Sequence, residues 1–204
     1  MEKNLKNVMN EYVEIGGVKW ATMNVGANAI TDGGLYFAWG DTQGYTAKQV
    51  PSEKAFSWDD YKFGDSDIFT KYNESDGKTT LDSEDDMVTA AWGGNWRMPT
   101  KEEFETLCNA TTSQWVENYL GSGVSGRLFT DKTDNSKTLF FPSVGYCEDC
   151  NVWEIGTDGY YWSRSLNADD ENGACYLCFF DSYVNTECNY YRYQGFSVRG
   201  VLGE

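Results

Sequence analysis

The amino-terminal part of the chain alternates between apolar and polar positions in a way that predicts a β-hairpin. Tyr12 to Trp20 (YVEIGGVKW) contains two short apolar runs, and Gly16 and Gly17 lie between them. Two glycines between such runs are typical of a two-residue hairpin turn. The first ten residues are polar and lack this pattern, so we expect a frayed segment over residues 1–11.

A helix of about ten residues is predicted after Pro99. The run Thr100-Lys-Glu-Glu103 has the sequence of a capping box, in which the Thr hydroxyl and the Glu carboxylate each accept a backbone N–H. The helical period then places Phe104, Leu107 and Cys108 on one face, which we expect to be buried.

A second short helix and a long loop region are predicted before the capping box. Asp82 or Ser83 is the expected cap of a helix that runs towards Trp92. Residues 47–86 are polar and contain isolated rings, which predicts a long, ordered loop region. The rings expected to anchor it are Trp58, Tyr61, Phe63, Phe69 and Tyr72.

Short strands dominate the second half of the chain. Arg127–Thr130 and Thr138–Phe141 flank a turn-rich segment and predict a hairpin. Three further strands are expected at Tyr160–Arg164, Cys175–Phe180 and Phe196–Val201. Early helices and late strands favour an α+β class, with two short helices and a small, mostly antiparallel sheet with long loops. No linker or composition break divides the chain, so we expect a single domain over residues 12–204.

Charge and composition exclude some classes of function. The 204 residues include 16 Lys+Arg and 32 Asp+Glu, a net charge of −16, with no basic block, which argues against a nucleic-acid partner. The absence of His removes the commonest general base, and the sequence shows no complete set of nucleophile, base and orienting residue, so we expect no enzyme and no cofactor. Tyr and Trp dominate recognition surfaces, and the chain has 14 Tyr and 8 Trp. The composition therefore favours a binding protein.

Targeting signals are not visible in this chain. No window approaches the roughly 18 consecutive apolar residues of a membrane-spanning helix, and no signal peptide is visible. We therefore expect no membrane insertion.

Four segments resemble a known family. They are Tyr36-Phe-Ala-Trp-Gly40, Trp92–Thr100 (WGGNWRMPT), Tyr161-Trp-Ser163 and Gly195–Val201 (GFSVRGV). They are similar to segments of C-type lectin fold domains, in the branch shared with formylglycine-generating enzymes, and specifically of variable proteins of diversity-generating retroelements. A run like Gly195–Val201 closes those proteins directly after their hypervariable segment. The resemblance spans about residues 12–202 and implies a C-type lectin fold with a variable ligand-binding region at about 160–194.

The segment before that closing motif has an unusual composition. Residues 160–194 contain 7 of the 14 Tyr and 3 of the 6 Cys. The resemblance implies that template adenines are miscopied, so that an Asn codon becomes Tyr, Asp, Ser, Cys, Phe, Gly, Ala or Arg. The expected ligand-binding residues are Arg164, Asn167, Asp169, Asp170, Asn172, Tyr176, Cys178, Phe180, Ser182, Tyr183, Asn185, Cys188, Asn189, Tyr190, Tyr191, Tyr193 and Gln194.

Strand periodicity divides this segment into two sets of side chains. Along Cys175–Phe180, Leu177 and Phe179 lie on one face, and we assign them to the core. The other face carries Tyr176, Cys178 and Phe180, which we expect to be exposed and to bind ligand, whereas 185–193 is expected to be a recognition loop. Core positions are also expected at Trp162, Phe196 and Val198. The alternative is that the aromatic residues of the segment are simply core.

The cysteines leave three alternatives open. Cys147 and Cys150 form one CxxC pair and Cys175 and Cys178 another, with 24 residues between them, a spacing near that of zinc ribbons. Positions three apart on a strand point to opposite faces, which argues against a metal shared by the second pair. A disulfide such as Cys147–Cys150 is the second alternative. We expect free thiols and no metal.

Two acidic runs are candidates for calcium binding, which many lectins of this fold use. The runs are Asp82–Asp86 and Asp169–Glu171, but the chain contains no Glu-Pro-Asn and no Trp-Asn-Asp sugar-binding motif. We therefore expect solvated or helix-capping charge, with Arg97 and Arg199 as ion-pair partners.

The resemblance implies a ligand-binding display protein whose C-terminal hypervariable face is diversified by a retroelement. The expected partner is a protein or glycan on a bacterial or host surface, recognised from a phage tail or as a surface adhesin. The expected location is a virion surface, or the extracellular space or a cell surface, and an oligomer could form through a larger assembly. The alternative is an undiversified structural or adhesin module of a secreted or surface-anchored bacterial protein.

Overall fold

The structure, a computed structural model, describes residues 11–203. The predicted frayed segment 1–11 lies outside the described residues except for Glu11. The predicted hairpin is confirmed: strands β1 (Tyr12–Ile15) and β2 (Val18–Asn24) pair antiparallel, with Ile15 opposite Val18. Gly16 and Gly17 form the turn with φ of 61° and 79°, values that glycine adopts without a steric penalty.

The first sheet joins the beginning of the described chain to its end. Its order is β1-β2-β12-β3, where β12 is Arg199–Leu202 and β3 is Trp96–Arg97. All three pairings are antiparallel. Of the predicted strand Phe196–Val201, only the part from Arg199 onwards is a strand. Phe196 forms a single bridge to Phe37, and Ser197 forms one to Tyr161.

The described residues contain three α-helices, one more than predicted. They are α1 (Val50–Glu53), α2 (Met87–Trp92) and α3 (Lys101–Ala110), and two 3₁₀ turns occur at Trp58–Asp60 and Tyr119–Gly121. The capping box of α3 is confirmed, because the Glu103 amide donates to Thr100 Oγ1 at 3.2 Å and the Thr100 amide donates to Glu103 Oε2 at 2.8 Å. Phe104 and Leu107 are buried, whereas Cys108 is half-buried.

The predicted cap of α2 is wrong. Neither Asp82 nor Ser83 caps it: Asp86 does, with Oδ1 accepting the amides of Val88 and Thr89 at 3.1 and 3.0 Å. The same carboxylate accepts the amide of Met98, so Asp86 joins α2 to the segment before α3.

Two further sheets lie between α3 and residue 153. The predicted hairpin is confirmed within the sheet β4-β5-β6, formed by β4 (Thr111–Val116), β5 (Gly126–Asp131) and β6 (Thr138–Pro142). A two-stranded hairpin follows, with β7 at Tyr146–Glu148 and β8 at Asn151–Trp153. Both pair antiparallel.

The fourth sheet contains the predicted variable region. Its order is β11-β10-β9, with β9 at Gly159–Leu166, β10 at Gly173–Phe180 and β11 at Tyr183–Tyr191. The expectation of a loop over 185–193 is wrong, because most of it pairs with β10 as an edge strand. The α+β class with mostly antiparallel pairing is confirmed, but the strands of residues 11–203 form four sheets rather than one.

A single cluster of buried apolar side chains extends from Ile15 to Val201. All five predicted core residues, Trp162, Leu177, Phe179, Phe196 and Val198, are buried. The rings of the long loop region also pack into this cluster, with Tyr61, Phe63, Phe69 and Tyr72 buried and Trp58 half-buried. The expectation of a single domain over 12–204 stays a prediction.

The two predicted arginine ion pairs differ from expectation. Arg97 pairs with Glu103 of α3 at 2.7 Å and not with an acidic run. Arg199 is fully buried, and its guanidinium lies 4.3 Å from the ring centroid of Phe141. Its three nitrogens donate to Asn24 Oδ1, the Ala21 carbonyl and the Phe140 carbonyl, so backbone and amide oxygens surround this cation instead of carboxylates.

Candidate ligand-binding site

The strand register places much of the predicted variable segment on one face of the β9–β11 sheet. Phe180 lies opposite Tyr183, Cys178 opposite Asn185, and Tyr176 opposite Glu187. Directly opposite residues share a face of an antiparallel pair, so these six side chains form two adjacent rows. Tyr160 and Trp162 continue the same face on β9, opposite Cys178 and Tyr176.

Within this face, the expectation that Tyr176 and Cys178 are exposed is wrong. Tyr176 is 2% exposed and Cys178 8%, whereas Phe180 at the end of β10 is 41% exposed. Strand β10 is the central strand of its sheet and both of its faces are covered. Alternation assigns side chains to two faces but does not say that one of them is solvated.

A cluster of four tyrosines forms the floor of the site. Tyr160 and Tyr190 contact each other and both contact Tyr146 and Tyr176, with ring centroids 5.3 to 6.2 Å apart. All four rings also contact Phe196. Burial raises the pKa of Tyr146 to about 12 and raises the pKa of the other three hydroxyls as well. The floor is therefore a packed, uncharged surface.

A second group of rings lies at the end of β11. Trp58, from the long loop region, contacts Tyr191 at 5.7 Å and Tyr193 at 4.8 Å, and the two tyrosines stack at 5.7 Å. Tyr191 is 47% exposed. Sequence reasoning identified Trp58 as a loop anchor and missed that it supports predicted ligand-binding residues.

The turn between β10 and β11 carries the third group. Phe180 and Tyr183 stack at 5.0 Å. The Tyr183 hydroxyl donates to Glu187 at 2.6 Å. The side-chain amide of Asn185 donates to the Tyr183 hydroxyl oxygen and to Glu187, each at 3.1 Å. Ser182 is exposed at the tip of this turn, and Asn189 is exposed further along β11.

Sequence reasoning missed two exposed apolar side chains of this surface. Trp153 is 48% and Ile155 58% exposed, at the end of the β7–β8 hairpin and just beyond it. Trp153 lies opposite Tyr146 in that hairpin, and Tyr146 belongs to the tyrosine cluster. Both residues precede the segment 160–194, so its composition could not indicate them.

Carboxylates surround the rings. Glu148 accepts the Tyr193 hydroxyl at 3.0 Å, and Glu154 accepts the Tyr160 hydroxyl at 3.0 Å. Burial, followed by a hydrogen bond with Glu154, raises the pKa of Asp158 to about 7. Asp158 also lines a depression of about 740 Å³ together with Phe180.

We call this surface the aromatic-acidic face. It consists of the exposed or half-buried residues Tyr146, Glu148, Trp153, Glu154, Ile155, Asp158, Tyr160, Phe180, Tyr183, Asn185, Glu187, Asn189, Tyr190, Tyr191 and Tyr193. Contacts between neighbouring members connect the β7–β8 hairpin to β9 and β11.

Several predicted ligand-binding residues have internal partners instead. Arg164 donates to the Leu81 carbonyl at 2.6 Å and borders a different depression of about 600 Å³ that Thr89 and Trp96 also line. Gln194 is buried and donates to Glu148. Asn167 donates to the Cys188 carbonyl at 2.8 Å. The remaining predicted residues, Asp169, Asp170 and Asn172, lie in the loop between β9 and β10.

The expectation of free thiols is wrong for one pair of cysteines. Cys175 and Cys188 form a disulfide that joins β10 to β11. The other four cysteines are free, and burial raises the pKa of Cys108 to about 11 and of Cys178 to about 12. Thiols with such pKa values are protonated at neutral pH, and the protonated form is neither a nucleophile nor a metal ligand.

The acidic run 82–86 forms an ion-pair network. Asp82, Glu84 and Asp85 are the one group within residues 11–203 that could hold a metal ion, with ligand atoms within 4.8 Å of one another. The Lys71 ammonium lies between them, at 2.6 to 2.8 Å from all three carboxylates. Lys62 pairs with Asp85 as well, so cationic side chains satisfy this cluster.

Comparisons were made with family models, with curated proteins and with solved structures. None of the three gave a match for this chain. Between residues 11 and 203, no helix has the length and apolar character needed to cross a membrane.

Proposed function

We propose that this chain is a ligand-binding display protein, with the aromatic-acidic face as its binding site. The observation that carries the proposal is the contrast along β10 and β11. Leu177 and Phe179 are buried under the sheet, whereas Asn185, Asn189 and Tyr191 of the edge strand are exposed. Rings surrounded by polar side chains are the usual composition of a recognition hot spot. A packed floor can also hold such a site while its exposed residues change.

We further propose that the domain has the C-type lectin fold. The support is the α+β class together with the burial of the four segments that resemble this family. Each contributes a buried ring or apolar side chain to the core: Trp39, Met98, Trp162 and Phe196. The resemblance therefore rests on residues that hold the fold together.

We propose that a retroelement diversifies the face. Exposed Asn185, Asn189 and Tyr191 and half-buried Tyr183 of β11 are all products or parents of Asn-codon mutagenesis. Sequencing the flanking DNA tests this proposal. We expect a nearby reverse transcriptase gene and a near-identical repeat that differs at adenines in these codons. A flanking region without such a repeat would contradict diversification.

One observation favours the alternative, an undiversified structural or adhesin module. Tyr176 and Cys178 belong to the same residue palette but are buried, and Cys188 is held in a disulfide. Substitution at these positions would disturb packing or remove the cross-link. The template repeat decides between the two functions.

The proposed location is a virion surface or the extracellular or cell surface, where the ligand is a protein or glycan of a bacterial or host surface. The disulfide supports an oxidising environment, because such bonds persist in secreted and surface proteins and are rare in reducing ones. Display in several copies would occur through a larger assembly.

The scaffold role is tested with two libraries. The first randomises half-buried Tyr183 together with exposed Asn185, Asn189 and Tyr191, and the control randomises buried Trp162, Leu177, Phe179 and Phe196. Each change at Asn185 or Asn189 costs about 0.5 kcal/mol or less and each ring lost at Tyr183 or Tyr191 about 0.5–1.5 kcal/mol, and 1 kcal/mol is about 2–4 °C in a chain of this size. We expect most clones of the first library to melt within about 16 °C of the parent, and we expect the library to yield binders to a chosen protein target.

The control library gives the result expected when core positions are randomised. We expect most of its clones to lose the cooperative melt, because each buried change costs several kcal/mol (about 2–5). If the first library unfolds as often as the control, the face is part of the core and the display function is wrong.

A further inference from the structure

We propose that the ligand of the aromatic-acidic face is an extended polypeptide segment with Lys or Arg at alternate positions, which pairs with the free edge of β11. This inference rests on the proposed binding function and specifies the chemistry of its ligand. It is carried by three observations: the charge of the surface, its exposed rings and the unpaired edge of the strand.

The charge of the surface selects a cationic partner. From residue 138 to 203 the sequence contains nine Asp and Glu and only three cationic residues, all Arg. Arg192 and Arg199 are fully buried, and Arg164 lies 3.9 Å from Asp86 and donates to the Leu81 carbonyl. The described part of this segment therefore presents carboxylates to solvent with no exposed cation of its own. Complementary charge steers and orients a partner.

The exposed rings favour side chains that combine a charge with an apolar stem. Trp153, Phe180 and Tyr191 are each 41% to 48% exposed, and Trp153 directly precedes Glu154. Phe180 stacks on Tyr183, whose hydroxyl donates to Glu187, and Tyr191 stacks on Tyr193, whose hydroxyl donates to Glu148. Lys and Arg pack their methylene stems on such rings while their charged ends reach carboxylates, and the ring faces attract the cation directly. A small metal cation or an uncharged glycan would leave one of these two features unused.

The edge of β11 favours a polypeptide. The sheet order β11-β10-β9 leaves β11 paired on one side only, and among residues 11–203 no strand covers its outer edge. An edge strand offers unpaired N–H and C=O groups to an added strand. Every second side chain of such a strand would lie on the same side of the sheet as Asn185 and Glu187 of β11, because strand side chains alternate.

Two peptides of identical composition separate this geometry from simple charge attraction. The probe is Ac-TKTKTKTKT-NH2, with all Lys on one face of a strand, and the control is Ac-TTKKTTKKT-NH2. We expect the alternating peptide to bind about tenfold tighter in isothermal titration calorimetry, and backbone N-methylation on its pairing side to abolish the difference. Equal affinities would overturn the proposal, because charge alone would then explain binding.

Matched variants locate the binding surface. The triple variant Glu148→Gln, Glu154→Gln, Glu187→Gln removes three carboxylates of the face. The control, Glu14→Gln, Glu102→Gln, Glu105→Gln, makes the same change of net charge on β1 and α3. We expect at least a tenfold loss for the first triple and less than about twofold for the control. Equal losses would mean that the overall charge of −16 attracts the peptide, and the proposal would be wrong.

The randomised library described above distinguishes this inference from the proposed function. If its selected clones bind their targets through the face but prefer neutral or acidic peptides, the display function stands and the cationic ligand is wrong. If no binder contacts the face, both are wrong.

Discussion

Replacing Tyr176 with alanine is expected to remove a large part of the stability of the fold. The side chain is 2% exposed and its ring contacts Tyr160, Trp162, Tyr190 and Phe196 at 5.3 to 6.2 Å. Deleting a buried aromatic ring costs about 3–5 kcal/mol, because the lost burial and the remaining cavity add. We expect the free energy of unfolding of Tyr176→Ala to fall by this amount.

Two matched variants divide that loss into its causes. Tyr176→Phe keeps the ring and removes only the hydroxyl that donates to Asn189 Oδ1, so we expect a loss of about 0.5–1.5 kcal/mol. Tyr191→Ala removes a ring that is 47% exposed and contacts Trp58 and Tyr193, for which we expect about 0.5–1.5 kcal/mol.

Urea unfolding followed by circular dichroism measures all three variants. The slope of the free energy against urea should stay constant, so that midpoint shifts report stability alone. If Tyr176→Ala and Tyr191→Ala cost the same, about 1 kcal/mol or less, Tyr176 does not lie in the floor of the site. The division of the face into a fixed floor and exposed positions would then be wrong.

The remaining predictions concern a carboxyl pair, the disulfide and the buried arginine. The pKa of Asp158, raised to about 7 beside Glu154, means that the folded state keeps a proton that the unfolded state releases near pH 4. Stability should therefore fall as pH rises from about 4 to 7, and Asp158→Asn should raise the melting temperature at pH 8 but not at pH 4.5; equal shifts at both would contradict this. Thiol titration in denaturant should find four reactive thiols, and six only after reduction, whereas six without reduction would exclude the bond. Arg199→Lys should cost about 2–3 kcal/mol in urea unfolding, because one amine cannot replace three nitrogens that donate to separate oxygens; a loss below about 0.5 kcal/mol would contradict this role.

Elements whose causes are local could be predicted from the sequence. The Gly16-Gly17 turn and the capping box at Thr100 each depend on residues within four positions of one another, and both occur as expected. The cap of α2 could not be placed in the same way. Asp86 also accepts the amide of Met98, a contact that requires the chain to return to this point.

The site was predictable only in part, since solvent exposure depends on distant neighbours. Periodicity correctly separated Leu177 and Phe179 from Tyr176 and Cys178, but Phe196 and the tyrosine cluster cover the second face as well. Strand β11 lacks a clean alternation, and its pairing with β10 and the disulfide define it. A buried Arg with no carboxylate partner, such as Arg199, has no sequence signature at all.

The central claim is that the aromatic-acidic face binds the ligand, and amide hydrogen exchange tests it most directly. The measurement compares the chain alone with the chain saturated by a peptide selected from a random phage-displayed library. We predict slower exchange in residues 146–160 and 180–191, and unchanged exchange around Thr89 and Trp96, which line the other depression. Protection confined to that depression, or to the loops of residues 47–86, would contradict the account.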